Sequence, residues 1–155
     1  MKKYELTEET VTVYGKTLYR IRAVRDFGSV KTGEFGGYIE KEENLSHFGD
    51  AWVYGNAKVY GDARVSGNAR VYGNAEVFNT RHFFVQGPIG SRDGYVTFYR
   101  TKDDTVEVRC GCFSGSLQKF VDRVEETHGG SRYEKEYKLA AELAKVCIRL
   151  EGESR

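Results

Sequence analysis

Between residues 47 and 78 the apolar and polar positions of the chain recur every six residues, reading H-F-G-D-A-W, V-Y-G-N-A-K, V-Y-G-D-A-R, V-S-G-N-A-R, V-Y-G-N-A-E, V-F without an insertion. A period kept this strictly is the mark of a stacked repeat. In each unit A-x-V-x alternates an inward small or apolar residue with an outward one, which predicts a short strand. The Gly-Asn or Gly-Asp pair that follows is its corner, because both residue types tolerate the left-handed backbone. Hairpin turns with Gly first would give an antiparallel meander. That arrangement leaves a flat face of Ala and Val with two open edges. Three units closing one coil of parallel strands would instead hide the small side chains inside. The coil is the favoured reading, and it sets residues eighteen apart above one another: Val53 with Val71, Val59 with Val77, Ala57 with Ala75, Tyr54 with Tyr72, Tyr60 with Phe78, Lys58 with Glu76. Stacked aromatic and opposite-charge pairs are what such a ladder favours.

On the N-terminal side, residues 10–24 alternate around Tyr14-Gly15-Lys16, with Val11 and Val13 before the turn and Leu18, Ile21, Ala23 and Val24 after it. This predicts a β-hairpin, the candidate cap for a repeat that starts in degraded form near Gly36. Beyond Phe78 the period stops. Phe83-Phe84-Val85, residues 95–100 and residues 105–110 read as three strands. A helix follows with Leu117, Phe120, Val121 and Val124 on one face, capped by Ser114 or Ser116 and stopped by Gly129-Gly130. A second starts near Tyr133 with Tyr137, Ala140, Ala141, Ala144, Cys147 and Ile148 on one stripe. The expected organisation is an N-terminal hairpin cap (1–35), a repeat domain (36–80) and a βββαα module (81–155), mainly β with an α+β tail.

Composition narrows the function classes. The net charge of +1 is balanced locally, so no basic face points to nucleic acid and no acidic run to a tail. No apolar run approaches membrane-spanning length and the N-terminus has no apolar leader core, which places the expected compartment in the cytosol. Three cysteines, an odd number, argue against a disulfide framework.

The units resemble the hexapeptide repeats of left-handed parallel β-helices, with an aliphatic residue first (Val53, Val59, Val65, Val71, Val77) and a small one fifth (Ala57, Ala63, Ala69, Ala75). The resemblance implies a short left-handed parallel β-helix and a homotrimer. It also implies, as one function, an acyltransferase holding an acyl-coenzyme A between coils, for which His47, His82 or His128 would have to be the base. The string G-P-I-G-S-R, with F-Y-R-T, C-G-C-F-S-G-S-L, T-H-G and Y-x-x-x-Y, resembles a small module appended to repeat proteins of bacteriophages and prophages. That resemblance implies a host cytosol and an anti-defence context, without a mechanism.

Two glycine loops carry the candidate chemistry. In residues 87–94, backbone N–H groups with Gly90, Ser91 and Arg92 would form an anion-binding concavity, or a plain tight turn. In residues 111–116, Ser114 and Ser116 open a helix, as an anion seat or as a simple cap. Arg81, Arg100 and Arg109 flank them, and a phosphate-bearing, nucleotide-like small molecule is the ligand they fit. Neither loop matches a dinucleotide or Walker fingerprint, so no cofactor is assigned. Cys110-Gly-Cys112 with Cys147 and His128 lacks paired metal spacing and reads as structural thiols. The outward aromatics Phe48, Tyr54, Tyr60, Tyr72 and Phe78, with Trp52, are too many for free solvent, and at least one ladder is expected to be buried, against the tail module or between subunits. The reading is a non-enzymatic oligomer that binds an anionic small molecule or a host defence protein through its C-terminal module. An acyltransferase and a purely structural scaffold are the alternatives.

Overall fold

In a computed structural model, which describes residues 2–152, the chain divides into two units, Met1–Thr80 and Arg81–Arg155.

The first unit begins with the hairpin of β1 (Tyr4–Val13) and β2 (Lys16–Ala23). Tyr14 and Gly15 at its tip both have positive φ, 48° and 78°. That is the two-residue turn whose twist matches the flanking strands. β2 pairs antiparallel with β3 (Phe35–Ile39), and β3 pairs parallel with β5 (Lys58–Val59), which pairs parallel with β7 (Glu76–Val77). β4 (Trp52–Val53) pairs parallel with β6 (Arg70–Val71) in a separate two-stranded sheet. Leu45 and Val65 form a lone parallel bridge.

This architecture overturns the expected left-handed parallel β-helix. Among the described residues the chain is mixed α/β with separate sheets and two helices, and no closed or solenoid sheet forms. The cause lies in how few residues each unit gives to a strand. The corners close as turns, with Ala57, Ala63, Ala69 and Ala75 donating their N–H groups to the carbonyls of Tyr54, Tyr60, Ser66 and Tyr72. The named repeat strands are therefore only two residues long, and their pairing is divided among a five-stranded mixed sheet, a two-stranded sheet and the bridge.

The eighteen-residue register itself holds. Val53 pairs with Val71, Val59 with Val77 and Lys58 with Glu76. The Tyr54 and Tyr72 rings stack at 3.9 Å and 7°, and those of Tyr60 and Phe78 at 5.2 Å and 22°. The five valines and the alanines from Ala51 to Ala75 are buried together. Gly37 shows how closely the backbones approach, since a Cβ there would lie 2.5 Å from the Ala57 carbonyl oxygen.

Buried polar groups pin this unit. The side chain of Asn44, fully buried, donates to the carbonyls of Gly61 and Ala63 and accepts from the N–H groups of Glu40 and Lys41. Lys3 is also fully buried. Its ammonium donates to the Ala51 carbonyl at 2.7 Å and lies 4.6 Å from the centre of the Phe27 ring.

The second unit is an antiparallel sheet in the order β11, β10, β9, β8: β8 (Phe83–Ile89), β9 (Gly94–Arg100), β10 (Val106–Cys110) and β11 (Phe113–Ser116). Helices α1 (Leu117–His128) and α2 (Arg132–Cys147) share a core with it, built on Val96, Phe98, Val108, Phe120, Val124, Ala141, Ala144 and Ile148. The fourth strand corrects the expected βββαα order. Gly111, at φ 56°, and Cys112 make a two-residue turn, so residues 113–116 return along β10 before the helix begins. Ser116 is the cap, its Oγ accepting from the Lys119 N–H at 3.2 Å. Among the described residues no helix is long and apolar enough to cross a membrane.

Candidate functional site

Strand order brings the two glycine loops together. β9 starts at Gly94 and β10 ends at Cys110, which pairs with Val96, so the β8–β9 and β10–β11 turns share one end of the sheet. With adjacent strands about 4.8 Å apart, the two turns are about 10 Å from each other.

The first loop is a tight turn. Gly90 has φ 82° and Asp93 φ 51°, and the Asp93 N–H donates to the Gly90 carbonyl. Its anion seat is already filled, because the Gly90 N–H donates to Glu136 Oε1 at 2.7 Å. Gly90 is required by proximity as well as by φ, since a Cβ there would lie 1.8 Å from the Tyr137 hydroxyl. Tyr137 joins the two turns. Its hydroxyl shares a hydrogen bond with the Cys110 thiol, and its pKa is raised by burial first and then by Cys110, while Arg92 opposes the rise. Its ring meets His128 at 5.5 Å and Phe120 edge-on at 5.8 Å, and His128 meets Tyr133 at 5.8 Å. One end of the unit thus gathers an exposed Arg92 and Ser91, three half-buried rings and a thiol. Rings of this kind stack on a planar group, and an exposed guanidinium takes an anion bidentately.

Arg100 does not belong to that end. It is buried, with Nε 2.9 Å from Asp104 Oδ1 and Glu151 at 3.5 Å. Main-chain N–H groups of Glu151 and Gly152, together with Arg100, hold the Asp104 carboxyl below its usual range. Nearby His82 is buried, which lowers its pKa to about 4, with Arg100 adding to the effect and Asp104 opposing it. Arg109, on β10 between Thr97 and Ser114, is half-buried.

Ser114 lines a different feature, a groove of about 400 Å³ between Cys112, Phe113 and Ser114 on one side and Lys119, Asp122, Arg123 and Glu126 of α1 on the other. Sequence reasoning missed this groove because it depends on β11. Ser116 caps the helix beside it.

The thiols are dispersed in role: Cys112 is exposed at the hairpin tip, while Cys110 and Cys147 are half-buried. Among the described residues no three His, Cys, Asp or Glu side chains gather to hold a metal ion. His47 is engaged at both nitrogens, accepting from the Lys3 N–H at Nδ1 and lying 2.8 Å from Glu42 at Nε2. Of the aromatic ladders, Tyr60 and Phe78 pack with Leu18, Tyr38, Val11 and Val13, so the chain's own hairpin supplies that burial. Tyr54 and Tyr72 remain half-buried, and the Tyr54 pKa is pushed up to about 12 by burial and its Tyr72 neighbour. Trp52, expected outward, is instead buried edge-on against Tyr4 and Phe27, while Phe48 is exposed.

No protein-family model and no curated protein matches this chain.

Proposed function

We propose that the protein is a non-enzymatic binding protein whose C-terminal unit recognises an anionic, nucleotide-like small molecule at the end of the sheet where both glycine turns meet. The observation that carries this reading is the convergence on that end of Arg92, from the β8–β9 turn, with His128, Tyr133 and Tyr137, from the two helices more than thirty residues further on. Arg92 and Ser91 take the anion, and the rings take the base. Glu136 holds the Gly90 N–H, so the ligand is anchored by Arg92 rather than by a backbone nest. The phage-like motifs extend the reading to a role in sequestering a host signal in the cytosol. Self-association uses the half-buried Tyr54/Tyr72 pair, since Tyr60 is enclosed by the hairpin.

Native mass spectrometry with a panel of mono-, di- and cyclic nucleotides tests it. The expected result is one nucleotide bound per chain, weakened about tenfold or more by Arg92→Ala, the loss of one charge-assisted contact. A panel that leaves the mass of the wild-type protein unchanged contradicts the reading.

A further inference from the structure

The second unit offers another surface, independent of the site above. β11 is the outer strand of its sheet, with β10 as its neighbour. In a two-residue hairpin the residues flanking the turn, here Cys110 and Phe113, exchange both ladder hydrogen bonds, and the next pair, Arg109 and Ser114, exchanges none. The Ser114 N–H and C=O therefore point away from β10. Ser114 and Cys112, two residues before it, are both exposed and both line the groove. An open strand edge is a template for another strand.

The opposite wall of the groove is one face of α1, with Lys119, Asp122, Arg123 and Glu126 at positions i, i+3, i+4 and i+7. Cations and carboxylates are mixed along it, and Arg123 lies 5.6 Å from the centre of the Phe113 ring. Side chains two apart on a strand are separated by about 6.7 Å, and helix positions four apart by about 6 Å. A strand laid on β11 thus presents its same-face residues in step with Lys119 and Arg123, or with Asp122 and Glu126.

The cation pair lies against β11, Lys119 beside Gly115 and Arg123 over the Phe113 ring. We propose that this groove binds an extended segment of a protein partner by strand addition to β11, the segment carrying two acidic side chains two residues apart on the face turned toward α1, in step with Lys119 and Arg123. Main-chain hydrogen bonds to Ser114 supply the attachment, and the charges on α1 select the sequence. A second copy of β11 fits less well, because its own alternate residues, Phe113 and Gly115 or Ser114 and Ser116, bring no charge to this wall.

The test uses the full chain labelled with ¹⁵N and a synthetic peptide of alternating valine with two glutamates two residues apart. The expected result is saturable shifts confined to the amides of residues 112–126, with slowed exchange of the Ser114 amide. Backbone N-methylation of the peptide abolishes the shifts. Ser114→Pro removes the outward N–H without touching the β10 ladder and weakens binding about tenfold. Lys119→Glu with Arg123→Glu weakens it equally, and a peptide with two lysines restores it. The proposal is overturned by no shifts, by shifts elsewhere, by binding that survives N-methylation, or by concentration-dependent shifts at these amides without peptide, which would assign the groove to self-pairing.

Discussion

Burying Lys3 makes the stability of the first unit depend on pH on the alkaline side of neutrality. Desolvation, with Arg25 adding to it and Asp50 opposing, lowers its pKa from 10.5 to about 8. Each tenfold change in the protonation equilibrium is about 1.4 kcal/mol, so a charged Lys3 costs the folded state about 3 kcal/mol. The sign follows from which state holds the proton. Between about pH 8 and 10.5 the unfolded chain still binds it and the folded chain has released it, so stability rises with pH there and is lost as pH falls through 8. From pH 7 to 9.5 the gain is about 2 kcal/mol. Trp52, the single tryptophan, is buried near this cluster, 5.1 Å from the Phe27 ring, and reports unfolding directly. Urea titrations followed by Trp52 fluorescence should show the unfolding free energy climbing over that range in the wild type and staying nearly flat in Lys3→Met. Equal slopes in the two proteins would refute the reasoning, whatever their absolute stabilities.

The second unit should respond to acid in the opposite range. With the His82 pKa lowered to about 4, its stability falls as pH drops from 6.5 toward 4, by up to about 3 kcal/mol, and His82→Gln flattens the profile measured by circular dichroism. Gly90→Ala should cost about 2 kcal/mol or more in thermal melts, and Tyr137→Phe in the same chain should restore part of it by removing the clashing hydroxyl. Asn44→Ala leaves two carbonyls and two N–H groups without their side-chain partner and should cost about 3 kcal/mol in chemical denaturation.

The six-residue period made the pairing register legible before any coordinates, because identical units can stack only at multiples of their own length. It did not reveal the sheets, since strand length depends on how many residues the corner turns absorb. Nor did it show that β3 joins a hairpin on one side and the repeat on the other. The hairpin was readable from Tyr14-Gly15, and the helices from their apolar spacing. β11 escaped because C-G-C-F-S-G-S serves equally as a helix opening and as a turn with a return strand, and only pairing with β10 decides between them. The two glycine loops could be named from sequence, whereas the Glu136 carboxylate on the Gly90 N–H could not, being 46 residues away. Arg100 looked available for an anion and is instead paired internally with Asp104, a partner four residues on that sequence alone does not single out.

The most direct measurement is a ¹⁵N-correlation spectrum of the full chain titrated with the nucleotide panel. Shifts should cluster at Ser91, Arg92, Cys110, His128, Tyr133 and Tyr137, and in Arg92→Ala they should need about tenfold or more nucleotide to saturate. A spectrum in which those amides stay fixed for every nucleotide would contradict it.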